Sequence, residues 1–198
     1  MGVEREPHAA YSAQGLLEEL NASNESPRIE TKRAREIGKS ILETVIAFAN
    51  EPGMSGGWLL LGTDWAVNAK GDTVYRSEGV PTPDKLQQDL ASQCASLLNY
   101  PLRPKIGVER IEGKTLVVVY VAKVHSGHKP VYLKATGLPR GAFRRIGSTD
   151  QRCTAKICGC CAATPSRGQA PTRPSSPTHS WTTSTPPRWP NTAGCATA

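Results

Sequence analysis

The chain has 198 residues, enough for one ordinary domain and an extension. Its formal charge of +7 and pI of about 9.2 favour polyanionic partners, but the acid-free stretch after Ala155 carries Lys156, Arg167, Arg173 and Arg188 and leaves +3 for the body. No apolar run approaches the roughly 18–20 residues of a bilayer span, and MGVEREPHAAYS lacks the apolar core of a signal peptide, so a cytoplasmic protein with reduced thiols and no membrane partner is expected.

Residues 1–23 read as an N-terminal helical segment. Within it, 8–21 place Tyr11, Leu16, Leu17 and Leu20 at helical spacing, with Asn21 as the stop. A polar turn follows, and the alternation of RIETK predicts a short strand over 28–32. The spacing of Ile37, Ile41, Leu42, Val45, Ile46 and Phe48 predicts the strongest helix, over 34–49. Asn50, Pro52 and Gly53 end it. Gly56-Gly57 lead into WLLLGT (58–63), a strand buried on both faces with Asp64 at its end. Residues 65–82 read as irregular, with a short strand around Thr73–Tyr75.

Pro83 starts a second helix over 84–98, with Leu86, Leu90, Cys94, Leu97 and Leu98 on one face. Lys105–Ile111 and Thr115–Val121 form a hairpin about Glu112-Gly113-Lys114. Lys129–Lys134 and Ala142–Ile146 are expected to pair as another hairpin. The expected fold is α+β: a mixed, largely antiparallel sheet with two main helices over residues 24–153. Residues 154–198, rich in Pro, Thr, Ser, Ala and Cys, have no apolar period and are expected to be a disordered tail. Their abrupt change of composition also reads as translation of a GC-rich gene out of frame. The cysteines 153, 158, 160 and 161 are spaced C-x4-C-x-C-C, without paired zinc knuckles. His125 and His128 in VHSGHK read as an exposed loop rather than a metal pair.

Glu25, Glu30 and Asp64 are the carboxylates that a returning chain would bring to one sheet edge. With Lys32 they would suit Mg²⁺ or Mn²⁺ and a phosphate substrate. Lys32, Arg33 and Arg35 form one basic cluster; Arg140, Arg144, Arg145 and Arg152 form another, with Ser148 and Thr149 as hydroxyl donors. In a strand Arg144 and Arg145 point to opposite faces. Trp65 is the candidate for stacking on a base. No P-loop G-x-x-x-x-G-K-[ST] occurs, and no small-molecule substrate is evident.

The stretches ESPRIETKRA, ETVIAFANEPGMSGGWLLLGTD, KTLVVVYVAKVHSGHKPVYLKA and AFRRIGSTDQRCT, in that order over 25–153, resemble the Schlafen-type AlbA-like family. Thr31 stands where the family's E-x-K usually has Phe, and EPGMS is inserted before Gly-Gly. The resemblance implies a nucleic-acid-binding domain of the kind found in transcriptional regulators, with DNA or RNA as partner. Phosphate contacts are expected from Lys32, Arg33, Arg35, Arg144, Arg145 and Ser148, with no cofactor required for binding. It also implies an alternative: an Mg- or Mn-dependent endoribonuclease, its metal on Glu25, Glu30 and Asp64 and its catalytic lysine Lys32. DNA against RNA, sequence preference and homo-oligomerisation are left open.

Overall fold

The computed structural model describes residues 11–23 and 25–155. Its elements follow one another as α1 (Ala13–Ser23), β1 (Ile29–Lys32), α2 (Lys39–Asn50), β2 (Gly56–Leu61), β3 (Thr63–Val67), β4 (Thr73–Ser77), α3 (Pro83–Ser96), β5 (Lys105–Ile111), β6 (Lys114–Ala122), β7 (Phe143–Ile146) and β8 (Thr149–Arg152). The α+β class expected from the sequence is the class observed. The tail, its out-of-frame reading and Cys158, Cys160 and Cys161 lie outside the described residues. No helix among the described residues is long and apolar enough to cross a membrane.

Four strands form the central sheet in the order β1-β2-β6-β5. β1 runs parallel to β2, with Lys32 opposite Leu61. A parallel pair needs a crossover, and α2 supplies it. The other two pairings are antiparallel. β2 and β6 are buried throughout or nearly so, and their alternating side chains feed two separate cores. Leu59, Leu61, Val117, Val119 and Val121 pack with α2 and α3, while Trp58, Leu60, Leu116, Val118 and Tyr120 pack with Leu16, Leu17 and Leu20 of α1. The uniform hydrophobicity of WLLL and LVVVYV is the consequence: neither face meets water.

Gly57 lies directly under Phe48 of α2. A Cβ there would stand 2.2 Å from the ring's Cδ1, so the crossover helix approaches the sheet as closely as it does only over hydrogen. Asn50, the last residue of α2, does more than end the helix. Its Nδ2 donates to the carbonyls of Val131 (2.8 Å) and Phe143 (2.9 Å), and its Oδ1 accepts from the amide of Val131 (2.7 Å). The residue is fully buried and joins α2 to two later segments that pair poorly with each other.

β2 ends at Leu61 and α3 at Ser96, two residues earlier than expected in each case, and four further differences accompany them. α1 continues past Asn21 to Ser23, because the Asn21 side chain is spent on the backbone of Tyr75 in β4. α2 begins at Lys39 rather than at 34: Ala34 adopts a left-handed φ of 39°, and Gly38 is the N-cap. Residues 63–77, read largely as irregular, form a two-stranded ribbon, β3–β4, with Trp65 opposite Tyr75. Gly62, at φ 95°, breaks β2 from β3, and Asn68 closes the turn by accepting from the amides of Lys70 and Asp72. The hairpin expected between 129–134 and 142–146 does not form. Pro130 removes a ladder donor, and single bridges remain from Tyr132 to Ala142 and from Leu133 to Leu98. β7 pairs instead with β8, across a turn at Gly147-Ser148.

Replacing Asn50 by Ala strands two carbonyls and one amide in the core. Equilibrium urea unfolding should show a loss of about 2–4 kcal/mol; an unchanged midpoint would show that the bridge does not hold the segments together.

Candidate functional site

β1 places Glu30 and Lys32 two residues apart, hence on one face, and their side chains pair at 2.8 Å. The second oxygen of Glu30, Oε2, meets Nη2 of Arg145 at 2.8 Å. Arg145 reaches it from inside the molecule, since its side chain is only 1% exposed. The same guanidinium pairs with Asp150 (2.9 Å) and donates to the carbonyls of Ser26, Pro27 and Ile29. It also lies over the ring of Phe48, 5.2 Å from its centroid. Asp150 in turn accepts from the Thr44 hydroxyl of α2.

Glu25 and Glu30 line one recess of about 250 Å³ with Trp65, Tyr75, Arg145 and Ser148. The Ser148 hydroxyl donates to Glu25 Oε2 at 2.7 Å. Burial raises the Tyr75 phenol, and the negative charges of Glu30 and Glu25 raise it further. Trp65, the aromatic singled out for stacking, is 58% exposed at the rim.

Asp64 does not join this recess. Trp65 and Tyr75 face it from opposite positions on β3 and β4, so Asp64, one residue earlier, projects from the other side of the ribbon. There Arg33 Nε donates to Asp64 Oδ1 at 2.6 Å, and the amide of Trp65 donates to the same oxygen at 2.8 Å. The Arg33 bond, then the Trp65 amide, holds the Asp64 carboxyl below its ordinary range. The metal set expected from Glu25, Glu30 and Asp64 is therefore not assembled. Both oxygens of Glu30 are already met by cations, Lys32 is committed to Glu30, and the described residues contain no group of three or more His, Cys, Asp or Glu able to hold an ion. A divalent metal does not fit these side chains as they stand.

The basic residues divide as well. Arg144 pairs with Glu51 (3.3 Å), on the opposite side of β7 from Arg145, as strand alternation requires. Arg145 is interior, Lys32 neutralises Glu30, and Ser148 faces Glu25, so these four do not share a phosphate-binding surface with the others. Arg33 and Arg35 do come together. With Lys114 they line a cleft of about 560 Å³ whose floor includes Gly79 and Gly113. The cleft lies at the end of the sheet where β1 leaves and the β5–β6 turn projects. Arg35 and Lys114 are exposed and form no ion pair among the described residues; Glu78 is the one acid in the lining, 3.9 Å from Arg33. Lys114 did not stand out in the sequence. Its signal was the Glu112-Gly113 turn, in which both residues take positive φ, a two-residue connection that holds the next side chain at the hairpin tip.

Residues 53–57 spell G-x-S-x-G, the pattern of a nucleophile elbow. That device runs from strand to helix, whereas here the chain passes from α2 into β2. The Ser55 carbonyl serves as acceptor for Lys123 and Tyr120, so the stretch is a structural turn.

A sequence profile described as Schlafen, AlbA_2 matches residues 25–154. The solution structure of the N-terminal domain of a protein from Nitrosomonas europaea, described as related to the ATP-dependent DNA helicase RecG, is 67% identical to this chain. The match covers 73% of this chain and 94% of that one, with a TM-score of 0.61. The crystal structure of the DIP2311 protein from Corynebacterium diphtheriae matches at 17% identity over 64% of this chain and 21% of its own, with a TM-score of 0.39. No curated protein matches the chain.

Two outcomes follow from the site's geometry. Arg145→Ala leaves two carboxylates facing an emptied interior and should cost about 3–5 kcal/mol in urea unfolding, whereas Arg35→Ala should leave stability nearly unchanged. Millimolar Mn²⁺ should leave the thermal midpoint where it is. A rise of several degrees, abolished in Glu25→Gln and in Asp64→Asn, would show that the acids regroup around a metal.

Proposed function

We propose that the chain, which belongs to the Schlafen, AlbA_2 family, binds nucleic acid through its phosphates, with the cleft of Arg33, Arg35 and Lys114 as the contact surface. The observation that carries this reading is the delivery of Arg35 and Lys114, from two distant segments of chain, to one open cleft beside the Arg33–Asp64 pair. Arg35 and Lys114 form no ion pair among the described residues. Gly113, beside Lys114 at the hairpin tip, offers no side chain to a ligand that approaches closely. The cleft carries cations and no aromatic ring, which suits a phosphodiester backbone rather than bases. The likeness to a domain described as related to a DNA helicase supports nucleic acid as the ligand class and DNA as the first partner to test. A regulatory role is the finer form of the same reading, in which this domain fixes a longer protein on DNA. Ribonuclease chemistry finds less support, because Asp64 is held by Arg33 on the far side of the ribbon from Glu25 and Glu30.

Fluorescence anisotropy on a labelled duplex, repeated across a salt series, tests the assignment. Binding should weaken steeply with salt, and the double variant Arg35→Ala/Lys114→Ala should lower the log–log slope by about 1.8, roughly 0.9 for each lost phosphate contact. Lack of binding at low salt, or binding indifferent to both substitutions, would overturn it.

A further inference from the structure

At the opposite end of β6 from Lys114 lies a second groove of about 510 Å³, formed by the connector between α3 and β5 and by the exit of β6. Its lining includes Arg103 and Lys123 with His125, and it contains no acid. Arg103 and Lys123 are exposed and form no ion pair among the described residues. The rest of the wall is of another kind: Tyr100, beside Pro104 and Val124, gives it an aromatic ring that the Arg33 cleft lacks.

The walls are fixed by hydrogen bonds that do not use the groove-facing groups. The amide of Leu102 donates to the Cys94 carbonyl (3.2 Å), and that of Val124 donates to the Ala49 carbonyl (2.9 Å). Asn99 clamps the connector by donating to the Pro130 carbonyl and accepting from the amide of Tyr132. The Tyr100 ring is stacked on His128 at 4.5 Å and 21°, which sets its plane. Nδ1 of His125 accepts from the Gly127 amide.

We infer that this groove takes an unpaired nucleotide unit, its phosphate on Arg103 and Lys123 and its base against Tyr100 and Pro104. A cavity of this size with an apolar wall and a few convergent polar groups has the make-up of a small-ligand site. Cations tracking a backbone beside an aromatic platform are the combination that binds single strands with little sequence preference. The unit comes from a single-stranded segment of nucleic acid or from a free nucleoside monophosphate; both present the same ring and phosphate. The inference rests on the reading of the chain as nucleic-acid binding but uses none of the residues of the Arg33 cleft.

Two measurements on the full chain test it. Amide spectra of the ¹⁵N-labelled protein should shift at residues 100–105 and 121–125 when a short oligothymidylate is added, and shifts there with adenosine monophosphate would mark a free nucleotide as the second source. Arg103→Ala/Lys123→Ala should weaken the oligothymidylate by about ten-fold or more and lower its log–log salt slope by about 1.4, while duplex affinity changes less than about two-fold. Arg35→Ala/Lys114→Ala should do the reverse. If single-strand affinity is untouched by the Arg103/Lys123 pair while duplex binding persists, the groove fails and the Arg33 cleft stands. If the wild-type protein binds neither ligand, both fail. If inorganic phosphate alone reproduces every shift and the nucleotide adds none, the groove is a simple anion site and the inference is overturned.

Discussion

The buried guanidinium of Arg145 is the interaction on which the arrangement of this domain depends. A charge removed from water is tolerable only when opposite charge and acceptors surround it. Arg145 meets that condition with Glu30, Asp150 and three backbone carbonyls from residues 26–29. Those partners belong to β1, β8 and the segment entering β1. One side chain therefore joins the final ribbon to the first strand, and Thr44, through Asp150, adds the crossover helix. Asn50 makes a neutral counterpart at the C-terminal end of α2, with its amide shared between Val131 and Phe143.

This internal economy determines which charges remain outside. Glu30 and Lys32 satisfy each other and Arg145; Asp64 and Arg33 satisfy each other on the outer side of the β3–β4 ribbon. Among the cations that the fold leaves unpaired, Arg35 and Lys114 lie at one end of β6 and Arg103 and Lys123 at the other. β6 has nine residues, and at about 3.4 Å per residue it separates the two groups by roughly 30 Å. The strand acts as a spacer between a cationic cleft without aromatic rings and one with an aromatic wall.

Much of the fold was legible because burial repeats along the chain. The apolar runs of β2 and β6, the helical spacing of α2 and α3 and the turn at Glu112-Gly113 each carry a local signal. The ribbons did not. β3 exposes Trp65 and Val67 and so lacks the alternation that marks a half-buried strand, and β7 pairs forward with a strand of polar residues, TDQR. The site was harder still. Glu25 and Glu30 do share a recess, as their closeness to β1 suggested. Whether Asp64 turned toward them depended on where β2 ended, and Gly62 shifted that point before Asp64. Arg144 and Arg145 are neighbours with the same chemistry; only the parity of the strand sends one to the surface and the other inside. Lys114 and Lys123 looked like ordinary solvated lysines until the topology placed each beside a residue remote in sequence.

The sheet's strand order leaves β5 with one side unpaired along its length. Bare strand margins invite other chains to add on, and proteins commonly discourage this with charge. Here Lys105, Glu109 and Arg110 punctuate that margin, and Glu109 is further engaged by the amide that opens α1, at 2.8 Å. A chain seeking to extend the sheet would have to desolvate these ions and displace a helix terminus. The domain is thereby steered away from fibrous stacking while its two cationic ends stay open to solvent.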